Sequence, residues 1–360
     1  MTNTMSRQPL LSVRNLSKDF PVSRGLLRRT SDAVHALNGV DFDILPGETL
    51  GLVGESGSGK TTVARTLLRL VEPDAGSALF RSRSLAAAGA PSEIDLFVVG
   101  ARALKQVRRD IQIVFQDPYS SLNPRHSIAA NVGEPLRANR VGNAAERLAR
   151  VAQLLQDVGL RPDLMRRYPH ELSGGQRQRV AIARALALEP DLIVADEPVS
   201  ALDVSIQAQV MNLLLDLQQK RGLTYLFIAH DLSVVRYMSR RIAVMYLGRI
   251  VEMGDANDVF QTPRHPYTEA LIESVPEPKP RLRKQRTPLQ GDVASPMRIP
   301  HGCPFHPRCR YAQDICRTQQ PLLREIAPGH VTSCHFAEQM PHAAGARYDA
   351  PTSTSLGQSQ

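Results

Sequence analysis

The stretch "GESGSGKTT", Gly54 to Thr62, fits the pattern G-x-x-x-x-G-K-[ST]. Glycines at Gly54, Gly57 and Gly59 let the backbone curl until its N–H groups point at phosphate oxygens. Glu55, Ser56, Ser58 and Thr62 complete the cradle, Lys60 is placed to reach the β- and γ-phosphates, and the Thr61 hydroxyl is placed to ligate Mg²⁺. A second element is "LIVADEP", an apolar run ending in Asp196 and followed by Glu197. Asp196 is placed to hold Mg²⁺ and Glu197 to polarise an attacking water. A third is "LSGGQRQR", where Ser173, Gly174, Gly175 and Gln176 open a helix and form another anion-binding terminus. One ATP does not need two such termini from one chain. The second is therefore offered to a nucleotide held by another chain, the logic of a head-to-tail dimer.

These residues need rigid elements behind them. The short apolar segments Leu50–Val53, Leu192–Asp196 and Tyr225–His230 read as buried strands separated by helices, which implies a mostly parallel sheet with helices on its faces. The phosphate loop follows the first of these strands and opens a helix from Gly59. "LSVRNLSKDF", Leu11 to Phe20, alternates as a strand, and a basic loop is expected from Pro21 to about Ala33. Strands broken by a Pro46-Gly47 turn follow. Residues Pro118 to His170 read as helices with loops, and Gln176 to Leu188 as a further helix. After Thr262 proline and arginine become frequent and periodicity is lost, so a boundary is placed near 262, and the last twenty or so residues read as a disordered tail.

The 360 residues suffice for two domains or for one large domain with an extension. No run approaches the roughly 18 to 20 uncharged apolar residues of a membrane span, and the N-terminus has no secretory pattern, so a soluble cytoplasmic protein is the default. The net charge of +9 includes the clusters Arg24 to Arg29 and Arg281 to Arg286. They fit attraction to anionic lipid or nucleic acid, or solvated loops. Neither is interleaved with aromatics and the chain has no Trp, which weakens a surface for stacking single strands.

All four cysteines lie near the end: Cys303, Cys309, Cys316 and Cys334. Disulfides are disfavoured in a reducing compartment. The gaps are wider than the C-x2–4-C knuckles of structural zinc. Iron–sulfur clusters accept looser spacings, and soft thiolate ligands exclude Mg²⁺. The spacing leaves a metal site or four small buried hydrophobes.

Taken together the sequence resembles the ATP-binding subunits of ABC transporters over roughly residues 10 to 260. "GESGSGKTT" matches Walker A, "LIVADE" Walker B and "LSGGQ" the signature. "VFQDP" supplies the Q-loop Gln116, "SALD" the D-loop with Asp203, and "IAHD" the switch His230. Phe20 sits where the family carries an aromatic that stacks on adenine. The resemblance implies a P-loop NTPase fold in the α/β class: a RecA-like core with a mixed, mostly parallel sheet, an antiparallel β-subdomain and an α-helical subdomain at about 117–178. It implies that Gln116 senses Mg²⁺ and γ-phosphate, and that His230 contacts the γ-phosphate and positions the water with Glu197.

Further stretches, "FQDPYSSLNPR", "RYPHELSGGQRQR", "MYLGRIVEMG" and "PRHPYT", resemble the oligopeptide/dipeptide permease ATPases and their nickel- and glutathione-importing relatives. The basic insertion after Phe20 favours the second of two paralogous ATPases, as in the dipeptide system. This resemblance implies an ATP-binding domain at 8–262, a C-terminal domain at 263–338 and a tail at 339–360. It implies a paralogous ATPase partner, two integral membrane permeases and, indirectly, an extracytoplasmic solute-binding protein, with no nucleic acid partner. The chain would be peripheral on the cytoplasmic face of the bacterial inner membrane. It also implies a [4Fe–4S] cluster on the four cysteines, favoured over Zn²⁺, with His306 and His335 as neighbours rather than ligands. A soluble ABC-type ATPase acting on DNA or ribosomes is the competing reading, opposed by the single compact cassette without a heptad run. Redox sensing by the cysteines is compatible with transport.

Overall fold

The computed structural model describes residues 8–22, 32–274 and 294–340. Both basic clusters and all but the first two residues of the tail expected at 339–360 lie outside them; Gln339 and Met340 are described, and Met340 is buried. The strands are β1 (Leu11–Val22), β2 (Asp32–Ile44), β3 (Thr49–Val53), β4 (Ala75–Arg81), β5 (Glu93–Asp95), β6 (Ile111–Val114), β7 (Leu192–Asp196), β8 (Thr224–Ala229), β9 (Arg241–Tyr246), β10 (Arg249–Asp255), β11 (Arg324–Ala327) and β12 (His330–Thr332). The helices are α1 (Lys60–Leu67), α2 (Arg83–Ala87), α3 (Ala101–Asp110), α4 (Pro118–Ser121), α5 (Ile128–Ala138), α6 (Ala144–Asp157), α7 (Gly174–Ala185), α8 (Val204–Arg221), α9 (Leu232–Met238), α10 (Ala256–Gln261), α11 (Pro266–Ser274) and α12 (Asp314–Thr318).

Two sheets result. One is antiparallel, in the order β2-β1-β4-β5. The other has the order β11-β12-β10-β9-β3-β8-β7-β6. Its centre, β9-β3-β8-β7-β6, is parallel, and β10, β12 and β11 add antiparallel strands on one side. β3, β7 and β8 are buried at every position, as parallel strands covered on both faces must be. Helices α5, α6 and α7 pack on one another, and α9 covers β3 and β8. β1 continues through Val22 and pairs with β2 as far as Asp32, so the expected loop from Pro21 to Ala33 is shorter than read. The cross-strand hydrogen bonds past Phe20 compensate for a stretch whose composition reads as turn-like.

The segment after 262 does not lie apart from the cassette. β12 pairs with β10, Glu252 opposite Thr332 and Met253 opposite Val331. Cys303, Phe305 and Cys316 join the same hydrophobic core as Tyr246 and Tyr267. Lost periodicity here means a segment too short and irregular to build its own core, which completes an existing one instead. Glu252, fully buried, anchors the join. Its carboxylate accepts the Arg264 N–H (2.6 Å), the His265 N–H (2.9 Å) and His330 Nε2–H (2.7 Å). Removing it strands two backbone donors and an imidazole away from water. Glu252→Ala is expected to cost about 3 kcal/mol in chemical denaturation, whereas substituting the exposed Glu325 should change little.

Candidate functional site

The phosphate loop leaves β3 at Val53 and returns as α1. Gly59 caps α1 in the left-handed region (φ 104°), and a Cβ there would stand 2.4 Å from the Ala36 carbonyl. Only glycine fits that close approach. Lys60 is almost fully buried, and its ammonium donates to the carbonyls of Gly54 (2.7 Å) and Glu55 (2.9 Å) and, at 3.4 Å, to Ser58 Oγ. Burial lowers its pKa below the ordinary lysine value, opposed by the charges of Glu197, Asp196 and Glu55. A polyanion entering the loop would supply the charge that this desolvated cation lacks.

Strand register brings the other groups to the same edge. Val53 lies opposite Ala229, Asp196 opposite Ile228 and Val114 opposite Ala195. The residues just past those strand ends therefore converge. Thr61 Oγ1 donates to Asp196 Oδ1 at 3.1 Å. Asp196 is buried, which raises its carboxyl above the usual carboxylate range, with the neighbouring Glu197 charge adding to the effect. A hydroxyl and an oxygen-only acidic ligand side by side are the donor set that Mg²⁺ accepts. Glu197 adopts a positive φ of 48°, rare for a non-glycine residue, while its N–H holds the Ile228 carbonyl at 2.9 Å. Its carboxylate Oε2 accepts from Gln116 Nε2 and from His230 Nδ1, both at 3.1 Å. Three residues named from the sequence on separate segments thus meet at one oxygen.

The signature residues stand elsewhere. Ser173 caps α7, its Oγ accepting the Gln176 N–H (3.3 Å) while Gln176 Oε1 accepts the Ser173 N–H (3.0 Å). Ser173 is exposed at this terminus, and Asp203 is exposed at the start of α8. Gly174 and Gly175 pack against the D-loop and α8, and a Cβ at Gly175 would sit 2.6 Å from Ile206 Cγ2. Phe20 lies 37 % exposed on β1 opposite Val34, with the Lys18 ammonium 5.6 Å from its ring.

The four cysteines gather around one cavity, also lined by His265, Phe305, His306, Tyr311, His335 and Phe336. None is in a disulfide. Among the described residues, no set of three His, Cys, Asp or Glu side chains is placed to hold one metal ion. A four-iron cluster makes a different demand, since each thiolate takes its own iron and the ligands must surround a volume. Burial raises the Cys303 thiol and pushes Cys309 to about 11 and Cys334 to about 12, with the other thiols' charges adding. Such sulfurs become thiolates only around a cationic group. Four thiols lining one cavity are the soft donor type that an iron–sulfur cluster takes. His306 Nδ1 and His335 Nε2 are each 3.0 Å from a backbone carbonyl, those of Cys303 and Gln319. Burial drives His265 down to about 3, so it is neutral, and its Nδ1 accepts the Tyr267 N–H at 3.1 Å.

The boundary expected near 262 would set the cysteine segment apart from the phosphate loop. The structure corrects this: Arg308 pairs with Glu55 at both carboxylate oxygens (2.8 and 3.0 Å), and the Tyr267 hydroxyl accepts the Glu55 N–H (2.8 Å). No spacing rule joins residues 253 positions apart. Tyr267 stood in the quoted "PRHPYT", the one available signal.

The site therefore unites the glycine-rich loop around Lys60, the buried Asp196 beside Thr61, and Glu197 between Gln116 and His230 in a RecA-like α/β framework, the class of P-loop ATPases. Residues 37–200 match the family model described as ABC transporter, and residues 251–316 match the oligopeptide/dipeptide transporter C-terminal region. The chain is 51 % identical over 330 residues to a putative peptide import ATP-binding protein of Brucella ovis, covering 92 % of this chain and 98 % of that protein. It is 47 % identical to an oligopeptide transport ATP-binding protein of Bacillus subtilis, with 92 % and 98 % covered. To a di/tripeptide transport ATP-binding protein of Pseudomonas aeruginosa it is 46 % identical, with 92 % and 99 % covered. A dimeric ATP-binding cassette solved in a post-hydrolysis state with ADP and Pi superposes with a TM-score of 0.58 at 30 % identity, covering 68 % of this chain and 98 % of that one. The chain belongs to the ATP-hydrolysing subunits of ABC transporters. Within them it carries the oligopeptide/dipeptide C-terminal region.

The tight approach of α7 to α8 gives a direct check. Gly175→Ala is expected to destabilise the protein by about 2 kcal/mol through overpacking. Pairing it with Ile206→Ala should return most of that loss in the same denaturation measurement.

Proposed function

We propose that this chain is one of two motor subunits of a bacterial importer for di- or oligopeptides. The observation that carries the reading is the meeting of Gln116, Glu197 and His230 beside the Thr61–Asp196 pair, all at the mouth of the Lys60 loop. The peptide assignment is supported by the relatives' names and by the matched C-terminal region.

In this reading, the loop from Gly54 to Thr62 binds the triphosphate through its N–H groups, and Lys60 exchanges its carbonyl partners for β- and γ-oxygens. Thr61 and Asp196, with Gln116 nearby, would hold Mg²⁺, which supplies charge neutralisation between the phosphates. Glu197 takes a proton from the water that attacks the γ-phosphorus as ADP leaves. Gln116 and His230 fix the rotamer of Glu197, and His230, whose side chain is 57 % exposed, can also reach a γ-phosphate. Phe20 would stack on adenine at the open end of β1.

The exposed Ser173–Gln176 terminus and Asp203 face a nucleotide held by a paralogous ATPase, so the dimer closes over both ATPs. Closure drives two permeases, which an extracytoplasmic solute-binding protein feeds. No helix among the described residues is long and apolar enough to cross a membrane, and the chain docks peripherally on the permeases at the cytoplasmic face of the inner membrane. We take 8–262 as the ATP-binding unit and 263–338 as the C-terminal unit. Cys303, Cys309, Cys316 and Cys334 would hold a [4Fe–4S] cluster that ties the irregular C-terminal segment together.

Glu197→Gln should keep MgATP binding and trap the closed dimer, while turnover in the assembled transporter falls by at least about a hundredfold. Unchanged turnover in that variant would sink the reading. For the cysteines, protein purified without oxygen should carry iron and sulfide in near-equal amounts, and replacing Cys316 with Ala should remove both. A colourless, iron-free wild-type protein counts against the cluster.

A further inference from the structure

Glu55, the second residue of the phosphate loop, has all its polar groups engaged. Its carboxylate receives two parallel bonds from Arg308, 2.8 Å from Nη1 and 3.0 Å from Nη2. Its N–H donates to the Tyr267 hydroxyl (2.8 Å), and its carbonyl accepts from Lys60 Nζ (2.9 Å) and from the Ser58 N–H (3.2 Å). A forked guanidinium–carboxylate pair fixes orientation as well as distance. The Arg308 side chain is only 5 % exposed, so little water competes.

Both partners are rooted in the cysteine cavity. Arg308 directly precedes Cys309. Tyr267 is two residues from His265, which accepts its N–H and lines the cavity with Cys309. Phe305, also in the lining, packs against Tyr267 and Tyr246 with ring centroids 5.5 and 5.4 Å apart. Two short, packed linkages thus run from the cavity to one residue of the loop.

We propose that Arg308, together with Tyr267, is a positioning residue for ATP binding: it neutralises and orients Glu55, and so ties nucleotide affinity to the packing of the cysteine cavity. The proposal rests on the reading that Gly54–Thr62 binds ATP. Without Arg308 the Glu55 carboxylate is an anion at the mouth of a triphosphate site and a competing partner for Lys60. Coupling between two sites is reciprocal, so nucleotide in the loop also tightens the cavity.

The test uses the full chain. MgATP affinity is measured by displacement of a fluorescent nucleotide, and amide hydrogen exchange across residues 303–316, which line the cavity, is read by mass spectrometry with and without MgATP. Arg308→Gln is expected to weaken MgATP binding about tenfold, and Arg308→Lys to recover part of it. The Glu55→Gln/Arg308→Gln double variant should regain most of the affinity, because the uncompensated anion is gone. MgATP should slow that amide exchange in the wild type and fail to do so in Arg308→Gln. Should Arg308→Gln not fold, Glu55→Gln breaks the same pair isosterically and should lose the protection. Affinity of Arg308→Gln within twofold of wild type, or MgATP protection that survives in Arg308→Gln or Glu55→Gln, overturns the proposal. A Lys60→Ala protein that binds MgATP as well as wild type would instead overturn the ATP-site reading beneath it.

Discussion

The registration of four parallel strands is the constraint on which the rest depends. Because Val53, Ala229, Asp196 and Val114 lie near one line across the sheet, the loop after each strand opens at the same edge. A register shift of one residue in β7 would turn Asp196 to the opposite face and take Thr61 out of its reach. The hydrogen bond from the Glu197 N–H to the Ile228 carbonyl extends that register one step beyond the strand, at the cost of a positive φ. Backbone pairing thus sets the positions of side chains that no local interaction could bring together.

Much of this was legible in the chain. The runs "LIVAD" and "YLFIAH" are short, apolar and bounded; the first is a fully buried strand of the central sheet, and the second is one as far as Ala229, with His230 exposed just past its end. The phosphate loop was legible because its chemistry is local: a strand, a glycine-rich turn and a helix start within a dozen residues. Convergence of Gln116, Glu197 and His230 entered only through resemblance, since nothing in their spacing encodes a shared oxygen. The pairing of Glu55 with Arg308 was not legible at all, because a charge pair between distant loops leaves no periodicity. The strands after Arg241 were also missed: β10 does not alternate and holds a charged residue, Glu252, at its buried centre, and its partner β12 is three residues long.

The buried polar groups are distributed unevenly. Lys60 and Asp196 are desolvated charges at the phosphate loop, where a bound nucleotide and its cation would satisfy them. Around Glu252, His330 and the two backbone N–H groups, they satisfy one another. The first arrangement is tensioned toward binding and the second toward permanence. That contrast distinguishes a site from a seam within one continuous core.

The hairpin of β11 and β12 has one more consequence. A sheet ending at β10 would present the unpaired N–H and C=O row of a seven-residue strand, the kind of border along which proteins stick to one another. β12 occupies that row at Glu252 and Met253, and the new border is β11, four residues long, mostly exposed and charged at Arg324 and Glu325. The C-terminal segment thereby replaces a long adhesive margin with a short, charged one, and protects the solubility of the whole cassette.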